Sequence, residues 1–260
     1  MKKVQKKKVT KSKKLVKRVV KKVVASAKKV ESKVKVSDKV GIGSDVLYVT
    51  FVLDETGSMQ LCKRATISGF NEYVKTLGTK AKNVVLTLVK FNATKVEMVY
   101  RVKKASDVPL LTEETYTPSE MTPLYDAIAK AVSDTEKSCN GSDVLFIIMT
   151  DGEENASKEY TKEKVLSLIG ERKAKGWAFV YLGANQDSWE VAQSIGIKQG
   201  NAVNYSVKNM QATFGFMADS TVAYASMSHG MRGMSMASDS ILQDKAEVEM
   251  KLTNEKGDRS

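Results

Sequence analysis

The sequence predicts an α/β protein built on a doubly wound, mostly parallel sheet with one antiparallel edge strand. Two observations carry that expectation. Val46 to Leu53 and Val144 to Thr150 are charge-free runs rich in β-branched and aromatic residues, the composition of strands buried on both faces of a parallel sheet. Strand-like and helix-like segments then alternate along the chain, which calls for a sheet covered by helices on both sides. About 220 residues follow position 40, a normal size for one such domain with a sizeable core.

Taken in order, the first strand ends at Asp54, and Ser58 to about Leu77 reads as a helix with Leu61, Ala65, Ile67, Phe70 and Val74 toward the sheet. Asn83 to Phe91 and Lys95 to Arg101 form a hairpin across Asn92-Ala93-Thr94, giving the antiparallel edge. Residues 102–121 form a loop that delivers Thr122. Pro123 opens the next helix, at a position where a first-turn N–H is not needed, and that helix runs to about Lys137. The strand at 143–150 leads through Asp151 to a helix at 159–173. A strand at 177–182, a short helix at 188–195, a short strand at 202–207 and a helix at 209–227 complete the domain. Ser226 to Ser240 is rich in Met, Ser and Gly and reads as a mobile segment with adaptable contact surfaces. Residues 241–252 suit a last helix or a docking element, and the final residues look frayed. The domains expected are 1–40, 41–225 and 226–260.

Asp54 and Asp151 both sit at carboxyl ends of strands, where open α/β sheets bind ligands. Asp54-Glu55-Thr56-Gly57-Ser58 adds two hydroxyls, and Thr122 adds a third. Two carboxylates and three hydroxyls suit a hard divalent ion such as Mg²⁺, which prefers near-octahedral oxygen and is usually held by one or two carboxylates with several waters. Each residue also has a simpler use. Thr122 and Ser58 suit helix caps, and the aspartates suit loop entries.

Asp54-x-Thr56-x-Ser58, Thr122 in Thr-Pro-Leu-Tyr-Asp-Ala, and Asp151 in Thr-Asp-Gly together resemble the von Willebrand factor type A (VWA) family over roughly Asp45 to Ala223. The resemblance implies a Rossmann-like VWA fold. It also implies a metal-ion-dependent adhesion site (MIDAS) in which Asp54, Thr56, Ser58, Thr122 and Asp151 hold Mg²⁺ or Mn²⁺ and an acidic residue of a protein partner fills the open position. Glu120-Met121 stands where relatives often carry glycine.

Charge divides the chain. Residues 1–40 hold 17 Lys and Arg against Glu31 and Asp38, a net of +15; the whole chain has 42 basic and 30 acidic residues, leaving the rest at −3. Within this Lys/Val-rich tail, Leu15, Val16, Val19, Val20, Val23 and Val24 fall on one half of a helical wheel, a basic amphipathic pattern expected to stay disordered until an anionic partner arrives. No aromatic residue precedes Tyr48, which removes base-stacking platforms and interfacial anchors. Nonspecific phosphate attraction remains, so nucleic acid or another polyanion is the expected partner of the tail; a solvated tail with a solubility or localisation role is the alternative. The tail has neither the apolar run of a secretory signal nor a transmembrane span. Cys62 and Cys139 lack metal-ligand spacing and point to a reducing, cytoplasmic setting; Cys62 reads as a packed residue.

Enzyme classes fit poorly. A haloacid-dehalogenase-like phosphohydrolase is the alternative, but its chemistry needs a second acid two residues after the first, where this chain has Thr56. There is no Gly-x-x-x-x-Gly-Lys-Ser/Thr loop, so coupling to an ATPase requires a partner protein. The single histidine, His229, lies far in sequence from the carboxylates, against a His-based zinc site or a Ser-His-Asp triad. Glu55, Glu153 and Glu154 are the nearby candidates for a general base. The function expected is a non-catalytic, metal-dependent adaptor.

Overall fold

The computed structural model describes residues 46–139, 143–184, 188–238 and 241–242. The expectations for the tail at 1–40 and for a helix beyond residue 242 lie outside the described residues.

Among the described residues six strands form one sheet in the order β3-β2-β1-β4-β5-β6. They are β1 (Leu47–Asp54), β2 (Val84–Asn92), β3 (Lys95–Lys104), β4 (Asp143–Thr150), β5 (Ala178–Gly183) and β6 (Ala202–Asn204). Only the β2–β3 pair is antiparallel, so the doubly wound sheet with one antiparallel edge is realised. Every residue of β1, β2 and β4 is buried, which is why these segments read as unbroken apolar runs instead of alternating ones. The strand order reverses between β1 and β4, whose register pairs Leu53 with Met149. That pairing sets Asp54 and Asp151 at the same rim of the sheet.

The hairpin turn follows from its sequence: the Asn92 side-chain oxygen accepts from the Thr94 N–H at 3.0 Å and the Lys95 N–H at 3.1 Å, a turn built by the asparagine itself. β3 runs three residues further than expected. A bulge between Leu86 and Val89 absorbs the mismatch; there Val102 takes a φ of 46° and donates its N–H to Thr87 Oγ1 at 3.0 Å instead of to the ladder.

The described residues also form helices α1 (Lys63–Lys80), α2 (Leu124–Glu136), α3 (Lys162–Ala174), α4 (Ser188–Ser194), α5 (Met210–Ser226) and α6 (His229–Ala237). α1 and α5 pack on each other, around Phe51, Phe70, Tyr73 and Phe214, whose rings lie 5.3–6.2 Å apart in edge and stacked pairs. Gly69 makes the closeness possible, since a Cβ there would fall 2.3 Å from Phe214 Cδ2. α2 packs on β1 and β2, joined by a 2.8 Å bond between Thr50 Oγ1 and Thr135 Oγ1.

Two expectations need correction. The helix drawn from Ser58 begins as a 3₁₀ turn over Gly57–Cys62, so the phase of its first residues changes: Met59 and Cys62 face inward and Leu61 is 89% exposed. The Met-rich segment is not a loose stretch over 229–237 but α6, capped by Ser228. Its anchor is Arg232, only 1% exposed, which pairs with Asp143 at 2.8 Å and donates to the Tyr224 and Ala225 carbonyls at the end of α5. Removing one member of such a buried pair typically costs about 3–5 kcal/mol. An arginine among methionines carries no periodic signal, which is why its partner could not be read from the sequence.

Candidate metal centre

The five nominated residues come from three segments at the β1/β4 switch point. Asp54 closes β1 and is fully buried. Its Oδ1 accepts from the Thr56 N–H at 2.7 Å and its Oδ2 from Thr150 Oγ1 at 2.5 Å. Each oxygen keeps a second lone pair. Thr56 Oγ1 lies 3.1 Å from Ser58 Oγ, which donates to Asp151 Oδ1 at 2.5 Å. Thr122 closes the ring beside Gly152: a Cβ on that glycine would lie 2.9 Å from Thr122 Oγ1 and 3.3 Å from Ser58 Oγ. Only a residue without a side chain lets the Asp151 loop approach both hydroxyls this closely. The structure thus brings Asp54, Thr56, Ser58, Thr122 and Asp151 together.

The simpler uses of these hydroxyls are not realised. Pro123 is the N-cap of α2, with no side-chain cap bond, and Thr56 is the N-cap of the 3₁₀ turn, again without one. The N–H groups at the start of α2 are satisfied from outside, Tyr125 by Glu154 Oε2 at 2.9 Å and Asp126 by Ser157 Oγ at 3.1 Å.

Several residues that hold the site were not nominated from the sequence. Asn155 makes a reciprocal pair with Thr122, accepting its N–H at 2.8 Å and donating a backbone N–H to its carbonyl at 3.1 Å. Tyr116 donates to the Asp54 carbonyl at 2.6 Å and Tyr205 to the Thr150 carbonyl at 3.2 Å, fixing both strand ends. Asp126 accepts three backbone N–H groups from residues 158–160 and stitches the Asp151 loop to α2. Asparagine, tyrosine and aspartate in these roles act on main chain far away in sequence. The only readable hint was the density of Asn, Ser, Asp and Glu in the segment after Asp151.

Of the candidate bases, Glu55 is fully buried and pairs with the buried Lys90 at 2.8 Å, and the same Oε1 accepts the Thr117 N–H at 2.7 Å. Its carbonyl accepts the Ser119 N–H, while Gly57 donates to the Glu120 carbonyl at 2.9 Å. Glu55 is therefore the hub that fastens the 115–120 loop beside Asp54. Glu154 is spent on four donors: Tyr125, Ala156 and Ser157 N–H and the Ser157 hydroxyl. Neither is aimed at the ring of oxygens. Glu120 takes a left-handed φ of 69°, the conformation that glycine supplies without strain.

Electrostatics favour a cation. Burial pushes the Asp54 carboxyl up to about 6 against the pull of the Thr150 and Thr56 hydrogen bonds, and Asp151 adds a smaller push. Asp151 is raised too, chiefly by burial. Among the described residues no Lys, Arg or His pairs with Asp54. A buried carboxyl in that position either keeps its proton or takes up positive charge. Among the described residues no group of three or more His, Cys, Asp or Glu is arranged to hold a metal, so any ion at this site rests on two carboxylates and the hydroxyls. Two carboxylates with three hydroxyls fit Mg²⁺ or Mn²⁺. Cys62 is buried, and burial pushes its thiol up to about 11, away from the reactive thiolate.

No protein-family model and no curated protein matches the sequence. Solved structures do match. The vWF domain of the type V pili tip protein Mfa5 from Porphyromonas gingivalis is 11% identical at a TM-score of 0.55, covering 71% of this chain and 98% of that one. The pilus adhesin SpaC from Lactobacillus rhamnosus GG is 14% identical at 0.53, covering 72% of this chain but 30% of that one. Proximal thread matrix protein 1 from the mussel byssus is 17% identical at 0.50, covering 69% and 49%. The chain has the fold of von Willebrand factor type A domains.

A carboxyl raised by folding stabilises the domain fully below its unfolded value and loses that contribution as pH climbs through its folded value. For metal-free protein, Asp54 therefore favours the fold near its ordinary value of 3.8 and ceases to do so above about 6. Urea denaturation in chelator across that window should show wild type losing ground to Asp54→Asn as pH rises. Parallel profiles for the two proteins would contradict the assignment.

Proposed function

We propose that this protein is a non-catalytic, metal-dependent protein-interaction module. Asp54, Thr56, Ser58, Thr122 and Asp151 hold Mg²⁺ or Mn²⁺, and an acidic side chain of a protein partner completes the coordination. The observation that carries the reading is the chain of contacts from Thr56 through Ser58 to Asp151, beside a buried Asp54 without a cationic partner among the described residues. The fold neighbours include a pili tip protein and a pilus adhesin, in keeping with an interaction role. When bound, the ion supplies a strong point attraction for a carboxylate. The chain's own residues orient the hydroxyls, exclude bulk water from Asp54 and hold the three loops in place.

The phosphohydrolase alternative is disfavoured by the side chains around Asp54. Thr56, which occupies the second acid's place, points its hydroxyl at Ser58, and Glu55 and Glu154 are committed to structural partners. Two further parts of the proposal concern the rest of the chain. The +15 tail at residues 1–40 tethers the module to nucleic acid or another polyanion by nonspecific phosphate attraction. The cytoplasmic setting is proposed from the cysteines, since Cys62 and Cys139 are buried and unbridged. Among the described residues no helix is long and apolar enough to cross a membrane.

Thermal unfolding in Mg²⁺ tests the metal. At roughly a hundred times Kd, linkage adds about 2.7 kcal/mol to the folded state, so Tm should rise by several degrees for wild type and stay fixed for Asp54→Ala. An unchanged wild-type Tm together with no heat of Mg²⁺ or Mn²⁺ binding would sink the metal reading. For the tail, retention on immobilised DNA and RNA should fall steeply with salt and vanish on deletion of residues 1–40; equal retention without the tail refutes the tether.

A further inference from the structure

Among the described residues the most exposed large apolar side chain is Leu61, at 89%, and Met121 is 56% exposed. Both belong to segments that carry the candidate ligands. The 3₁₀ turn over Gly57–Cys62 has a repeat of three, so side chains three apart eclipse one another. Met59 and Cys62 are accordingly both buried, and Ser58 and Leu61 are both exposed. Leu61 thus stands one turn above the Ser58 hydroxyl on the same outward face. Met121 directly precedes Thr122. The two segments adjoin through the 2.9 Å bond from the Gly57 N–H to the Glu120 carbonyl.

The charges around these two segments select among occupants. Glu120 and Glu153 are exposed beside Met121 and Asp151 and oppose a run of acids. The nearest cations after the turn, Lys63 and Arg64, are matched to Glu113 at 3.0 and 3.6 Å. We infer that Leu61 and Met121 form an apolar rim beside the metal centre that selects a partner segment bearing a single carboxylate between apolar side chains. The inference rests on the metal-centre reading and names the partner chemistry that reading leaves unspecified. The carboxylate supplies the ion-dependent attraction, and the flanking side chains cover apolar surface that water otherwise wets.

The test uses full-length protein and short fluorescent peptides with one central glutamate, flanked by leucines, by serines or by further glutamates, with a central-glutamine control. Binding is followed by anisotropy in Mn²⁺ and in chelator, and Mn²⁺ affinity of the protein alone is measured by calorimetry. The leucine-flanked peptide should bind about tenfold tighter than the serine-flanked one, from partial burial of two apolar side chains. Leu61→Ser and Met121→Ser should each lower that preference about threefold and together abolish it; both sites are exposed, so Tm serves as the folding control. If Mn²⁺ binds but the single-acid peptides are equivalent, or the acid run wins, the rim inference is overturned and the metal centre stands. If Mn²⁺ does not bind, the metal reading falls and the rim falls with it.

Discussion

The in-register parallel pairing of β1 with β4 is the constraint on which the site depends. It places Asp54 level with the end of β4, where Thr150 reaches across to its Oδ2 at 2.5 Å. A slip of one residue would turn Asp54 to the opposite face of the sheet and break that bond. The slip is prevented far from the rim, because β1 and β4 are buried along their whole length and Phe51 is locked among Phe70, Tyr73 and Phe214. Core packing on one face thus sets the chemistry at the edge.

Around this fixed point the loops are held by polar groups spent on main chain. Glu55 with Lys90 fastens the 115–120 loop, Asn155 fixes Thr122, and Asp126 with Glu154 ties the segment after Asp151 to α2. Such a frame orients oxygens before any ligand arrives, which is how a small hard ion is held with little reorganisation. It also concentrates negative charge at a buried position. Burial accordingly raises the Asp54 carboxyl, and a cation bound there would relieve that cost.

Much of the fold was legible because burial on both faces leaves a simple mark: uncharged β-branched runs. The strand at 143–150 was read to the residue, and the antiparallel edge followed from the Asn92 turn. The candidate site was legible as far as the five side chains that meet there, since Asp54, Thr56 and Ser58 lie within five residues and Thr122 and Asp151 each sit at an element boundary. Leu61 leaves the inward face that a 3.6-residue period predicts because the turn carrying it has a period of three. Arg232 with Asp143, Lys90 with Glu55 and Asn155 with Thr122 were invisible for a different reason. Each is a pairing between segments, decided by tertiary geometry, and each involves a residue that in isolation reads as surface.

The central claim is that these five oxygen donors enclose one hard cation while leaving it a position for a partner's acid. Anomalous diffraction from crystals grown in Mn²⁺ tests it most directly. The account predicts a single strong peak bounded by Ser58, Thr122 and Asp151, with ligand oxygens at about 2.1–2.2 Å and a water or foreign carboxylate completing the shell. A peak elsewhere, no peak at saturating Mn²⁺, or a coordination shell closed by the chain's own Glu120 or Glu153 would contradict it.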